Sequence, residues 1–231
     1  MNLTEPLRSV IPGAHGQVLQ VVARTQKPLT ARQVALLTEG GTSKRRANDV
    51  LQELTEAGVI LRQDSAPSYL YSLNRDHVAA GAILALADLR STLLDRIRGN
   101  IATWEWKPVA AYLFGSTAKG TAAERSDIDV LVVQPPNIPA DDWDDQLSIL
   151  SENVHRWSGN YCEILELTEA ELQESVSADN PLAADLQDHG VILYGGKKAQ
   201  DLLRVHRVTA SRGILPFPVP SAPAGSHGSS E

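Results

Sequence analysis

The chain has 231 residues, 42% of them hydrophobic, and a formal net charge of -7, which argues against non-specific nucleic-acid binding by the chain as a whole. Its longest apolar runs are too short to cross a bilayer, so we expect no membrane association. A single cysteine excludes an intrachain disulfide framework and a cysteine-based zinc site, and Met1–Pro6 is not typical of a signal peptide, so we expect a cytoplasmic protein.

The charge is unevenly distributed along the chain. Residues 1–77 carry nine Lys and Arg against seven Asp and Glu, whereas residues 78–231 carry twelve against twenty-one. A mildly basic part can approach a phosphate backbone, while an acidic part needs metal ions between its carboxylates and an anionic substrate. The expected organisation is a domain over 1–75, a second domain over 76–208 and a disordered tail over 209–231, which is rich in Pro, Ser, Gly and Ala.

The first domain is predicted to contain three helices followed by a β-hairpin. Apolar spacing, cap residues and glycines set the boundaries of these elements. The predicted elements are a helix over 13–23, a helix from the cap Thr30 to Gly40-Gly41, a helix from a cap at Thr42 or Ser43 to Ala57-Gly58, and strands over 59–62 and 68–73 with a wide loop between them. Three helices and a hairpin in this order resemble a winged helix-turn-helix.

Basic residues open the third predicted helix, the one that a winged helix-turn-helix inserts into the DNA major groove. Lys44, Arg45 and Arg46 stand at the N-terminus of this helix, where cations oppose the macrodipole unless phosphate or base contacts offset the cost. We therefore predict that they contact duplex DNA, with Arg32 and Arg62 as flanking phosphate contacts. The alternatives are a solvated basic face and a module that docks another protein.

The second domain is predicted to alternate helices with short strands. It begins with one long helix that carries an apolar stripe. The predicted elements are a helix over 76–103, strands over 109–114 and 128–133 with a turn and short helix between them, a helix over 141–157, a strand over 161–167, short helices over 169–175 and 181–187, and a strand over 191–194.

The strongest chemical signal lies between the first two of these strands. Gly115 and Ser116 end a strand just before a helix start, where backbone N–H groups and a hydroxyl can hold a phosphate. Asp127 and Asp129 stand two apart on an extended segment, so their carboxylates point to one face about 7 Å apart at the backbone. Two carboxylates on one face can share magnesium ions.

A Gly-Ser pair, ten further residues and Asp-x-Asp resemble the nucleotidyltransferase superfamily, which includes DNA polymerase β, kanamycin nucleotidyltransferase and the minimal nucleotidyltransferases. The resemblance covers roughly residues 80–205. It implies an α/β (α+β) chain in which a winged helix-turn-helix precedes a polymerase β-like mixed sheet flanked by helices. It also implies that Gly115 and Ser116 hold the terminal phosphates, and that Asp127 and Asp129 bind two Mg²⁺ ions. Lys119 is a further candidate for a triphosphate contact, against the alternative of an ordinary exposed lysine.

In this family a third carboxylate on a later strand binds metal and deprotonates the attacking hydroxyl. The segment 161–167 offers Glu163 and Glu166, which alternation puts on opposite faces, so that only one can point at the aspartate pair. We predict Glu163, because it lies nearer the start of the strand, with Glu166 as the alternative.

Together these features predict a magnesium-dependent enzyme that transfers a nucleoside monophosphate from a triphosphate, with ATP as the expected one, to a hydroxyl of a protein, an RNA or a small molecule. The alternative is a DNA-binding regulator or antitoxin whose nucleotidyltransferase-like domain senses nucleotide without turnover. Because minimal nucleotidyltransferases often act as antitoxins, the resemblance also implies a toxin-like partner protein.

Overall fold

The computed structural model describes residues 1–38, 41–178 and 180–204. The tail over 209–231 and Gly40 of the predicted turn lie outside these residues. The helices are α1 (Pro6–Val10), α2 (Ala14–Arg24), α3 (Ala31–Leu37), α4 (Lys44–Glu56), α5 (Ala80–Ala87), α6 (Leu89–Thr103), α7 (Gly115–Lys119), α8 (Ala140–Ser158), α9 (Glu169–Ser177), α10 (Pro181–His189) and α11 (Gly196–Leu202). The strands are β1 (Ile60–Ser65), β2 (Ser68–Leu73), β3 (Ala110–Phe114), β4 (Ile128–Gln134), β5 (Cys162–Thr168) and β6 (Val191–Tyr194). None of the helices in the described ranges combines the length and apolar character needed to cross a membrane.

The helices α1 to α5 and the β1-β2 hairpin enclose one apolar cluster. The helix predicted to start at the cap Thr30 is α3, and it begins as predicted. The Thr30 hydroxyl accepts a hydrogen bond from Gln33 N–H, and the Gln33 side chain accepts one from Thr30 N–H. Of the two residues expected to cap α4, Ser43 does so, accepting a hydrogen bond from Arg46 N–H. The identification of this part as a winged helix-turn-helix stays a prediction.

The hairpin is tighter than the sequence suggested. β1 continues to Ser65, which pairs with Ser68, so only Ala66 and Pro67 form the turn. The prediction of a wide loop was wrong. All residues of β1 after Ile60 are exposed, so the second half of this strand lacks the apolar alternation by which a strand is recognised in a sequence.

The long helix predicted over 76–103 is two helices that meet at Asp88. This residue leaves the helical region, with φ -110° and ψ 21°, and its carboxylate accepts a hydrogen bond from the Ser91 hydroxyl. Ile83 and Ala87 of α5 belong to the N-terminal cluster, whereas the buried residues of α6 pack against the larger sheet. The chain therefore changes from one core to the other at Asp88, and the boundary between residues 75 and 76 stays a prediction. Two helices, α1 and α11, were missed by the sequence analysis.

The larger sheet is mixed and has the strand order β5-β4-β3-β6. β3 is antiparallel to both β4 and β6, while β4 and β5 are parallel. Because side chains alternate along a strand, Val130 and Val132 face α6 and α8, whereas Leu131 and Val133 face α9, α10 and α11. This α+β architecture agrees with the predicted class and is consistent with a nucleotidyltransferase fold.

Candidate active site

The turn from β3 into α7 is built around Gly115. This residue has φ +69°, in the left-handed region that favours glycine. A Cβ atom at this position would also collide with Oδ2 of Asp129 and lie 2.9 Å from its Cγ. The absence of a side chain therefore lets the backbone of the turn approach the aspartate on the neighbouring strand.

Two of the predicted carboxylates lie side by side on the sheet. Asp129 of β4 is in register with Glu163 of β5, and adjacent residues of a parallel pair project to the same face. Asp127, the residue before β4, is close enough to add to the negative potential at Asp129. The structure thus brings Asp127, Asp129 and Glu163 together beside Gly115.

Negative charge accumulates at this point of the sheet. Burial raises the pKa of Asp129 above its ordinary value, and the charges of Glu163, Asp127 and Asp185 raise it further. A carboxyl that is half-buried among other carboxylates favours a bound cation, because the cation relieves both the burial cost and the repulsion.

The alternative third carboxylate lies on the other face. Glu166 is in register with Val132, whose side chain packs toward α6 and α8, so alternation separates Glu166 from the aspartate pair. Cys162 also lies on that face, where burial first and then the charges of Asp129 and Glu163 raise the pKa of its thiol to about 12. This free cysteine is buried in the strand and packs as a small apolar residue.

A fourth carboxylate, Asp185 of α10, was missed by the sequence analysis. Its Oδ2 accepts a hydrogen bond of 3.1 Å from Gly115 N–H, and its Oδ1 lies 2.8 Å from Nζ of Lys119. Burial would raise the pKa of this carboxyl, but the hydrogen bonds from Lys119 and Gly115 and the charges of Lys119 and His189 lower it overall. No sequence signal marked Asp185, because only the packing of α10 brings it to a motif that ends more than fifty residues earlier.

The short helix α7 is held from two sides. The Thr117 hydroxyl donates to the backbone oxygen of Asp127 at 3.3 Å, and Thr117 is buried. The Arg90 guanidinium of α6 donates to the backbone oxygens of Thr117 and Ala118, with distances of 3.1 and 3.3 Å from Nη2. Ser116 is half-buried, and its hydroxyl makes no hydrogen bond to another residue of the described ranges.

A closed metal centre is not preassembled. Among residues 1–38, 41–178 and 180–204, no group of three or more His, Cys, Asp or Glu side chains is gathered closely enough to hold a metal ion. The donors that do lie together are carboxylates, the hard oxygen ligands that Mg²⁺ prefers. Mg²⁺ is usually held by one or two carboxylates plus substrate phosphates, so the chemistry of this donor set fits Mg²⁺ without a closed cage.

The predicted DNA contacts are all exposed but are not all alike. Arg32 and Lys44 line one concave surface between α3, α4 and the hairpin, together with Tyr69. The Arg62 guanidinium lies 4.5 Å from the centroid of the Tyr69 ring. Arg46 is instead drawn to an acidic partner, since its Nη1 lies 3.7 Å from Oε1 of Glu53. Arg45 is exposed at the start of α4 and does not line this surface.

Comparison with known proteins identifies the part of the chain that carries the carboxylates. A family model for the nucleotidyltransferase domain matches residues 99–180, which include Gly115, Asp127, Asp129 and Glu163. A search of curated proteins found no match. Among solved structures, a chain from "Crystal structure of the toxin-antitoxin with AMP-PNP" is 18% identical, with a TM-score of 0.34, covering 48% of this chain and 79% of that one. That similarity is too low to carry an inference. Residues 99–180 are therefore similar to the nucleotidyltransferase domain, and this match covers the segment that carries the clustered carboxylates.

Proposed function

We propose that this protein is a magnesium-dependent enzyme that transfers a nucleoside monophosphate from a nucleoside triphosphate to a hydroxyl acceptor. The observation that carries the proposal is the pairing of Asp129 with Glu163 beside the left-handed turn at Gly115. The backbone of the Gly115 turn can approach a ligand closely, and the neighbouring carboxylates concentrate negative charge. The first feature suits a phosphate group and the second suits the metal ion that accompanies it.

In the proposed reaction Asp127 and Asp129 hold Mg²⁺, with Glu163 as the third carboxylate. When bound, Mg²⁺ neutralises phosphate charge and stabilises the leaving pyrophosphate. The Gly115 N–H, the Ser116 hydroxyl and the Lys119 ammonium orient the triphosphate. The exposed position of Glu163 at the edge of the sheet leaves its carboxylate accessible to an acceptor from solvent.

The proposed step exchanges a phosphoanhydride bond for a phosphate ester bond. Glu163 accepts the proton of the acceptor hydroxyl, and the acceptor oxygen attacks the α-phosphorus of the triphosphate. The bond between the α-phosphorus and the bridging oxygen breaks, and its electron pair leaves with pyrophosphate. The acceptor thereby becomes a nucleoside monophosphate ester.

Calorimetric titration with ATP and Mg²⁺ tests the binding half of the proposal. Asp127→Asn and Asp129→Asn should each abolish magnesium-dependent ATP binding without unfolding the protein, because the neutral amide lacks the negative charge with which a carboxylate binds Mg²⁺. Asp141→Asn, a change of the same type at an exposed residue of α8, should leave binding unchanged. ATP affinity that is unaltered in both site variants contradicts the metal assignment.

Transfer of label from ATP, with Mg²⁺ and a cell lysate as the source of acceptors, tests the catalytic half. Glu163→Gln should retain ATP binding and lose transfer by about 10²–10⁴-fold, the usual contribution of a general base. Glu166→Gln on the opposite face is the matched control and should have little effect. A reversed result assigns the base to Glu166, and wild-type binding without transfer leaves a nucleotide sensor.

The same labelling experiment identifies the acceptor and the nucleotide. Label in protein, RNA or small molecules separates the three acceptor classes, and parallel reactions with the four ribonucleoside triphosphates test the expected preference for ATP. Label in a partner protein supports the antitoxin-like role, in which the acceptor belongs to a toxin-like protein.

A second candidate function is DNA binding by the N-terminal part, either coupled to transfer or joined to a sensor without turnover. The specific observation in its favour is the concave surface that joins Arg32, Lys44 and Tyr69, with Arg62 over the tyrosine ring. Two cations with an aromatic side chain between helices and hairpin suit a phosphate backbone. No acidic residue occupies the first turn of α4 to offset its three cations.

Fluorescence anisotropy of a labelled duplex at several salt concentrations tests this candidate. Arg32→Ala with Lys44→Ala should weaken binding and reduce the log–log salt slope by roughly 1 for each phosphate that the variant no longer neutralises. Arg96→Ala with Arg125→Ala removes the same charge from exposed residues elsewhere and should have a smaller effect. Binding no stronger than that of an acidic control protein leaves the N-terminal part as a protein-docking module.

A further inference from the structure

Asp185 occupies the groups that the proposed function assigns to the triphosphate. One oxygen of its carboxylate accepts from Gly115 N–H at 3.1 Å, and the other lies 2.8 Å from the Lys119 ammonium. A phosphate group binds through the same two kinds of contact, a backbone N–H and a cation. The Asp185 carboxylate of α10 therefore occupies the turn at Gly115 in the way that a bound phosphate would.

This contact is accessible enough to exchange. The Lys119 side chain is 40% exposed and that of Asp185 is 17% exposed, so solvent reaches the ion pair. Water around the more exposed Lys119 ammonium screens its attraction to Asp185, and ordering the lysine side chain costs entropy. A multiply charged anion can therefore compete for Lys119.

The triphosphate and Asp185 cannot use these groups together. Gly115 has one N–H, and a second anion beside Asp129 and Glu163 adds repulsion at a point where the pKa of Asp129 is already raised by its neighbours. The backbone of α10 need not move for the carboxylate to leave. The helix is anchored by its Asn180 cap and by the buried residues Ala183 and Leu186, whereas the Asp185 side chain is partly exposed.

We propose that Asp185 is an intramolecular occupant of the phosphate position, which the incoming triphosphate displaces from Gly115 and Lys119. The inference rests on the proposed function, because it assumes that these two groups receive the triphosphate. It adds that Asp185 lowers the affinity of this position for every anion, so that a ligand has to displace the carboxylate in order to bind. A triphosphate with several charges overcomes the competition, whereas a monophosphate has fewer charges with which to do so.

Titration of the full chain with inorganic tripolyphosphate, without metal and at low ionic strength, tests the displacement. Asp185→Asn preserves the shape and an acceptor oxygen but removes the negative charge that competes for Lys119, so it should bind tripolyphosphate about tenfold more tightly than wild type. Asp188→Asn is the matched control, because it makes the same change at an exposed position of the same helix. It should leave the affinity within about twofold of wild type.

A measurement on the wild type keeps the test independent of how the variant folds. The amide resonance of Gly115 should shift on addition of tripolyphosphate, with the midpoint that calorimetry gives. An unshifted resonance overturns the proposal. So does equal affinity of wild type and Asp185→Asn, accompanied by lower thermal stability of the variant, which identifies Asp185 as a structural clamp between α10 and α7.

The outcomes separate this inference from the proposed function. Equal tripolyphosphate binding overturns the displacement but leaves nucleotidyl transfer standing if label is transferred. Tighter binding by Asp185→Asn supports the displacement even when no acceptor is labelled, a result that counts against transfer alone. Absence of tripolyphosphate binding by both wild type and variant overturns the displacement, while the labelling experiment with Mg²⁺ decides the proposed transfer separately.

Discussion

At the residue scale, Gly115 is the position where one methyl group tests the geometry of the site. Gly115→Ala should destabilise the protein by about 1–3 kcal/mol, because alanine resists φ +69° and its Cβ would collide with the Asp129 carboxylate. It should also lower the affinity for ATP with Mg²⁺, since Asp129 has to move. Urea unfolding and calorimetry measure the two effects.

Gly99→Ala is the control for this substitution. Gly99 lies within α6, and a Cβ there would meet no atom within 4 Å. In a helix interior alanine is more stable than glycine by roughly 0.5–1 kcal/mol, so this variant should be slightly more stable than wild type. If the two variants changed stability alike, the close approach of Gly115 to Asp129 would be contradicted.

Residue-scale prediction from sequence succeeded where the geometry was local. Period-two alternation assigned Glu163 and Glu166 to opposite faces, and the register of β5 with β4 agrees. Asp185 could not be predicted in this way, because nothing in the sequence of α10 specifies which turn of the backbone its side chain meets. That contact depends on the packing of α10 against β3 and α7.

At the element scale, α7 depends on a neighbour. It has five residues, too few for a stable isolated helix, and Arg90 donates to the carbonyls of Thr117 and Ala118 at its C-terminal end. Burial first, and then the charges of Arg24 and Arg98, lower the pKa of the Arg90 guanidinium, so burial and repulsion both disfavour its positive charge. The hydrogen bonds to the carbonyls of α7 offset this unfavourable energy.

Arg90→Met should therefore lower stability by about 1.5–3 kcal/mol, the range for hydrogen bonds to charged groups, and weaken ATP binding by loosening the Gly115 turn. Chemical denaturation and calorimetry are the measurements. Arg96→Met, at an exposed position of the same helix, should change stability by less than about 0.5 kcal/mol. Equal ATP affinity in wild type and Arg90→Met would show that α7 holds its conformation without this arginine.

The elements that sequence predicted well have strong local signals. The Thr30 cap of α3 and the buried β4 belong to this class, since a capping box and a continuous apolar run are specified by neighbouring residues. The division of the predicted 76–103 helix was missed because its apolar stripe continues through both halves. Asp88 ends α5 there, and the two halves then face different cores.

At the scale of the whole molecule, the two parts of the chain are tied close to the candidate site. Leu3 is buried in the cluster beneath the larger sheet, whereas Leu7, four residues later, is buried in the N-terminal cluster. Between them, the Thr4 hydroxyl donates to the backbone oxygen of Ala122 at 3.2 Å, in the segment that leads to Asp127. The amino-terminal segment therefore links the N-terminal core to the loop that presents the first aspartate.

Leu3→Ala tests this link. Leu3 is 1% exposed, so removing its side chain should cost about 2–5 kcal/mol as a buried leucine-to-alanine change, and the loss should fall on the core that carries the site. We expect a lower urea midpoint together with weaker ATP binding in the presence of Mg²⁺, because Ala122 loses the support of the segment that packs beside it.

Leu36→Ala is the control. Leu36 is 73% exposed on α3, and its truncation should change stability by no more than about 0.5 kcal/mol. If Leu3→Ala lowers stability but leaves ATP affinity equal to that of Leu36→Ala, the segment supports the core without positioning the Asp127 loop.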